Sequence, residues 1–128
     1  MKTIFSFLSI LFVLVTTTLA AQINQKNRVI ILSDIEADPD DTQSFVRLFL
    51  YSNTLDIKGI VATTSCWMQT RIAPQSIHKI INAYGKIQPN LLKHETGYPD
   101  EASLLSLVKN GLPLYGMKGV GAGKDSPG

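Results

Sequence analysis

Cysteine is almost missing from this 128-residue chain, in which Cys66 is the single example. One cysteine excludes an intrachain disulfide, so an apolar core must hold the fold together. An excess of positive charge is missing too, because twelve Lys and Arg residues stand against ten Asp and Glu. Nucleic-acid-binding domains carry a clustered basic excess, and this balance therefore argues against nucleic acid as a partner.

Long apolar runs are also scarce. Residues 4–15 form an apolar run that is shorter than the roughly 20 residues of a transmembrane helix. Lys2 precedes the run, and small residues that end in Ala20 and Ala21 follow it. This pattern is typical of a secretory signal peptide and predicts that residues 1–20 are removed by cleavage after Ala20. We therefore expect a secreted or periplasmic protein without a stable membrane anchor, and an uncleaved anchor is the alternative.

The remaining sequence alternates between strand and helix patterns. Apolar, β-branched runs of strand length occupy residues 28–33 and 55–63. Amphipathic patterns predict three helices: one from Asp41, one from Pro74 to a stop at Gly85, and one capped by Asp100 and ended by Gly111. The sequence therefore predicts an α/β fold, a mostly parallel sheet flanked by helices on both sides.

The C-terminal residues 119–128 are rich in glycine and end without a closing element. We therefore expect residues 21–128 to be the N-terminal portion of a larger α/β domain. The sequence carries no signal for an oligomeric state.

A cluster of carboxylates follows the first predicted strand. Five Asp and Glu side chains lie within the eight residues from Asp34 to Asp41. Ligands of parallel sheets bind beyond the carboxyl ends of the strands, which places a site at this cluster and at residues 63–67. Like charges repel there, and Ca²⁺ relieves the repulsion because it accepts roughly six to eight oxygen ligands. The cluster contains no His or Cys, which argues against zinc, and a solvated acidic turn is the alternative.

The same residues resemble the motif of the nucleoside hydrolases, a buried strand that ends in Asp-x-Asp-Pro-Gly-x-Asp-Asp. The spacing Asp34-x-Glu36-x-x-x-Asp40-Asp41 is a variant of that motif. A closer resemblance is to the nucleoside-hydrolase-like domain of secreted cellulose-binding proteins. It rests on the stretches SDIEADPDDTQSFVRLFLYSN, GIVATTSCW, INAYG and YGMKGVGAGKDSPG and covers residues 28–128.

The resemblance implies a role for each residue of the motif. It makes Glu36 a Ca²⁺ ligand and the base that activates the attacking water, and it makes Asp41 a second metal ligand. Asp40 would hold sugar hydroxyls, and Asp34 and Asp38 would support the site. Glu36 is one methylene longer than the aspartate that the family carries at that place.

Trp67 lies in the loop after the second predicted strand, where the family carries Gly-Asn against the ribose. An aromatic ring suits stacking on the face of a sugar, which makes Trp67 a candidate substrate-binding residue. We expect a Ca²⁺-dependent hydrolase of N-glycosyl or related glycosidic bonds, with Glu36 as the base. The alternative is a carbohydrate-binding or cellulose-binding protein without turnover on the same fold, and a structural domain is the third possibility. In the first two, the partner is a carbohydrate or a nucleoside-like small molecule.

Overall fold

A computed structural model describes residues 26–128, so the predicted signal peptide and its cleavage near Ala20 lie outside the described residues. The elements in chain order are strand β1 (Asn27–Ser33), helix α1 (Asp40–Leu50), strand β2 (Leu55–Ala62), helix α2 (Pro74–Leu91), helix α3 (Glu101–Leu107) and strand β3 (Val108–Asn110). Short 3₁₀ turns occupy Ser52–Thr54 and Gly116–Gly119. None of the helices in residues 26–128 combines the length and the apolar character of a membrane span.

The three strands form one parallel sheet in the order β1-β2-β3. At their carboxyl ends Ser33 pairs with Ala62, and Ala62 pairs with Asn110. Between Val29 and Ile30 of β1 the register skips Lys58 of β2, which marks a bulge in β2. All three strands therefore end at the same side of the sheet, which we call the carboxyl edge, and the parallel α/β class predicted from the sequence is confirmed.

The core lies on one face of the sheet and draws buried side chains from all three helices. Its fully or nearly buried members include Phe45, Phe49, Ile57, Ile60, Ile77, Ile81, Tyr84 and Leu104. Ile31 of β1 packs against this core, whereas its neighbours Ile30 and Leu32 are exposed. Since side chains alternate along a strand, Ile30 and Leu32 lie on the opposite face. In residues 26–128 the helices thus cover one face of the sheet, whereas the sequence predicted helices on both faces.

Helix α2 is longer than the sequence predicted. It continues through Gly85, the expected stop, and ends at Leu91 with Pro89 in its last turns. A Cβ atom at Gly85 would collide with the side chain of Glu101. The glycine therefore allows α3 to pack closely against α2, and this packing, not a helix stop, is its structural role.

Helix α3 begins as predicted but ends early. The Asp100 carboxylate accepts hydrogen bonds from the backbone N–H of Ser103 at 2.8 Å and from its hydroxyl at 2.7 Å. These bonds cap the helix and lower the pKa of Asp100 below its ordinary value. The helix ends at Leu107, because the next three residues extend and pair with β2 as β3. The predicted stop at Gly111 is wrong, and the third strand brings residues 111–120 to the carboxyl edge.

Candidate functional site

The loop after β1 carries the carboxylates, and we call residues 34–41 the carboxylate loop. Its backbone turns at once, because the Ala37 N–H donates to the Asp34 carbonyl at 2.9 Å. Ile35 is fully buried and anchors this turn in the core. The buried hydroxyl of Ser33 accepts from the Ile35 N–H at 3.1 Å and donates to Asp41 Oδ2 at 2.6 Å. The start of α1 is therefore tied directly to the end of β1.

Asp40 and Asp41 form the first turn of α1, where the positive end of the helix dipole favours carboxylates. The Asp40 and Asp38 carboxyl groups share a hydrogen bond at the exposed tip of the loop. This bond and the nearby Asp40 charge raise the pKa of Asp38, with a further small rise from Asp34. The same bond lowers the pKa of Asp40. The carboxylates are thus crowded, as the sequence predicted.

Glu36 has a different environment from its acidic neighbours. Its Oε2 accepts a hydrogen bond from Arg71 Nη1 at 2.9 Å, and its Oε1 accepts one from the hydroxyl of Ser76. The Ser76 bond, followed by the Arg71 bond, lowers the pKa of Glu36. The backbone of Glu36 has φ of 78°, in the left-handed region that non-glycine residues rarely adopt. Both carboxylate oxygens of Glu36 therefore already have protein partners in this structure.

The loop after β2, residues 63–73, holds Trp67 on a tight turn. Ser65 and Met68 exchange backbone hydrogen bonds of 3.1 and 3.2 Å, and the Ser65 hydroxyl accepts from the Trp67 N–H at 3.2 Å. Met68 is buried and fixes this turn, which we call the Trp67 turn, against the protein. Trp67 itself is 81% exposed. The turn therefore holds a large aromatic ring in solvent at the carboxyl edge.

Arg71 and Ser76 are the site residues that sequence reasoning missed. They lie at the end of the loop after β2 and in the first turn of α2, and through Glu36 they join this segment to the carboxylate loop. Arg71 is the one cation among residues 63–73. A single positive charge in a loop predicted to lie beside the acidic cluster could have indicated an ion pair between the two segments.

The fit of Ca²⁺ to these residues is incomplete. Glu36 has both oxygens in hydrogen bonds, and one oxygen of Asp41 accepts from Ser33. Within residues 26–128, no group of three or more His, Cys, Asp or Glu side chains converges as a metal site requires. The roles assigned to Glu36, Asp40, Asp41 and Trp67 therefore stay predictions.

The chain is thus an α/β protein with an open parallel sheet and a carboxylate-rich edge, and in such sheets ligands bind beyond the carboxyl ends of the strands. Residues 28–128 match the family model described as cellulose-binding Sde182, nucleoside hydrolase-like domain, and the chain belongs to this family. Among solved structures the chain is similar to a nucleoside hydrolase-related hypothetical protein from Saccharophagus degradans that is associated with carbohydrate metabolism. The two share 44% identity with a TM-score of 0.77 over 80% of this chain.

This chain spans 25% of the length of the Saccharophagus degradans protein. No curated protein matches it. These similarities confirm the family resemblance and the α/β fold that the strand and helix patterns predicted.

Proposed function

We propose that this chain forms part of a carbohydrate-binding site on a nucleoside-hydrolase-like fold, and that the site holds sugar without breaking a glycosidic bond. The observation that carries this proposal is the engagement of Glu36 by Arg71 and Ser76. A general base works best with a pKa near the working pH. Glu36 accepts hydrogen bonds from Arg71 and Ser76 that stabilise its ionised form and lower its pKa, and it therefore suits a structural carboxylate better than a base.

Sugar recognition would use side chains that are exposed at the carboxyl edge. Asp40 is exposed and ionised, and a carboxylate accepts charge-assisted hydrogen bonds from sugar hydroxyls. Trp67 offers a ring face for the apolar side of a pyranose. The family description names cellulose binding, which supports a glucan as the ligand. Export directed by residues 1–20 would bring the site to extracellular polysaccharide, and this location is part of the proposal.

Ca²⁺-dependent hydrolysis is the second candidate, favoured by the crowding of Asp38 and Asp40 and by the position of Glu36 and Asp41 in the motif. A bound cation would reduce the repulsion between these carboxylates and would polarise a water molecule for attack. For that chemistry Glu36 would first have to leave Arg71. The two candidates therefore differ in whether Glu36 stays bound to Arg71 or is released from it.

The test compares binding with turnover in the full-length chain. We expect calorimetry to detect binding of cellotetraose by the wild type, and Asp40→Ala to weaken that binding about tenfold through the loss of a charged acceptor. The matched control is Asp56→Ala, because Asp56 is a half-buried carboxylate near the amino end of β2, paired with Lys58 and far from the carboxyl edge. It should bind as the wild type does.

The hydrolysis arm of the test uses nucleosides, aryl glycosides and cello-oligosaccharides with added Ca²⁺. The binding proposal predicts no released sugar, and it predicts that Glu36→Gln loses at most the several-fold affinity that the ion pair with Arg71 contributes. Turnover in the wild type that Glu36→Gln abolishes would establish the hydrolase instead. Absence of cellotetraose binding in the wild type would overturn the proposed function altogether.

A further inference from the structure

A second aromatic residue stands at the carboxyl edge, on a segment to which neither candidate function assigns a role. Strand β3 leads into residues 111–120, and Tyr115 lies in their middle. The Thr64 hydroxyl, at the start of the loop after β2, donates to the Leu114 carbonyl at 3.3 Å. This bond lies one residue from Tyr115 and three residues from Trp67. The loops that carry the two aromatic side chains are therefore tied together at their bases.

The segment that carries Tyr115 is tightly closed, and we call residues 114–119 the Tyr115 turn. The Gly116–Gly119 3₁₀ turn folds back so that a Cβ atom at Gly119 would lie 2.8 Å from the Leu114 carbonyl oxygen. Gly116 has φ of 66°, which favours glycine at that position. The Tyr115 turn thus folds back on itself next to Leu114, and the Thr64 hydroxyl ties its base to the loop that carries the Trp67 turn.

Both aromatic side chains are exposed on these fixed turns, Trp67 by 81% and Tyr115 by 43%. The apolar ring surface is therefore in contact with water, which is unfavourable. A ligand that covers the rings removes this contact and gains binding free energy. Because the turns are already ordered, little loop entropy is lost on binding. Such a surface suits a ligand with flat apolar faces and polar rims, which is the character of a pyranose ring.

Resting on the proposed function, we infer that Trp67 and Tyr115 form one stacking surface that binds separate rings of the same β-linked glucan chain. From Thr64 to Trp67 and from Leu114 to Tyr115 the backbone reaches at most roughly 15 Å in total, and the 3.3 Å hydrogen bond and the two side chains add to this reach. Both rings therefore lie within the length of one glucan chain of several residues. A single sugar offers one ring and would engage one aromatic side chain. A nucleoside adds a base that can stack, which makes adenosine the competing probe, and the cellulose-binding description of the family favours an oligosaccharide or polysaccharide.

The experiment measures calorimetric affinity of the full-length chain for glucose, cellobiose, cellotetraose and adenosine. In the wild type we expect affinity to rise from cellobiose to cellotetraose. Tyr115→Ala should lose roughly tenfold in affinity for cellotetraose, and Tyr115→Phe should restore it because the ring face is retained. The control Tyr51→Ala removes an aromatic side chain that is 66% exposed at the carboxyl end of α1, and it should change nothing.

The outcomes separate this inference from the proposed function. If Trp67→Ala loses binding while Tyr115→Ala binds all four probes as the wild type does, the shared surface is refuted and the sugar site stands. If both variants bind cellotetraose like the wild type, the role of Trp67 in the proposed sugar site fails as well. Adenosine bound as tightly as cellotetraose, with no dependence on chain length, would overturn the assignment of a glucan ligand.

Discussion

Replacing Arg71 by Gln removes the positive member of the ion pair that joins the carboxylate loop to the segment after β2. The charged atoms of Arg71 and Glu36 are 2.9 Å apart, and the two side chains are 55% and 37% exposed. Water screens so exposed a pair, which contributes about 0–1 kcal/mol to the free energy of unfolding. The left-handed backbone of Glu36 opposes folding by roughly 1–2 kcal/mol. We therefore expect Arg71→Gln to lower the free energy of unfolding by about 1 kcal/mol or less, and to loosen this loop without unfolding the protein.

A matched ion pair elsewhere in the chain provides the control. Asp56 and Lys58 are 2.8 Å apart with side chains 37% and 44% exposed, and Asp56 lies near the amino end of β2. In urea unfolding, Lys58→Gln and Arg71→Gln should lose similar small amounts of stability. Calorimetry with cellotetraose should separate them: only Arg71→Gln should bind several-fold more weakly, because the loop that carries Trp67 loses its preorganisation. Equal affinity in both variants would refute the reasoning.

The stabilisation from this ion pair should decrease as the pH falls into the acid range. The Ser76 and Arg71 hydrogen bonds hold the pKa of Glu36 below its ordinary 4.5. Ionised Glu36 therefore stabilises the folded chain at neutral pH, and that contribution is lost as the pH falls from 4.5 through the lowered pKa. The stability difference between the wild type and Arg71→Gln should shrink in this acid range. A difference that stays constant from neutral to acid pH would show that the ion pair contributes nothing.

Three further predictions concern other parts of the chain. If Asp41 ligates Ca²⁺, adding Ca²⁺ should raise the melting temperature by mass action and Asp41→Asn should abolish most of the rise, whereas a melting temperature indifferent to Ca²⁺ and chelator would exclude the metal. Leu104 is fully buried, so Leu104→Ala should lower the free energy of unfolding by about 2–5 kcal/mol in urea titrations, and a loss below this range would show that α3 is not held by the core. Mass spectrometry of the exported protein should find a mature chain that begins at Ala21 or Gln22, and an intact N-terminus would contradict the signal peptide.

The sequence determined the elements whose pattern is local. The apolar runs of β1 and β2 and the helical spacing in α1 depend on neighbouring residues, and their places in the structure agree with prediction. The carboxylate motif is local in the same sense, and it placed the candidate site after β1. β3 was missed because three residues are too few for a periodic pattern and because the strand exists only through its pairing with β2. Gly85 was misjudged for a related reason, since α3 packs against it from outside its own helix.

Only the tertiary structure decided which partner each carboxylate has. Glu36 is separated from Arg71 by 35 residues and from Ser76 by 40, and no sequence pattern links residues so far apart. Their contact arises because parallel strands end at a common edge, which brings the segments after β1 and β2 together. The same geometry brings Tyr115 to the side of the sheet that carries Trp67, through a hydrogen bond between residues 50 positions apart. The sequence therefore specified the charges and the aromatic rings, while the order and direction of the strands determined which of them meet.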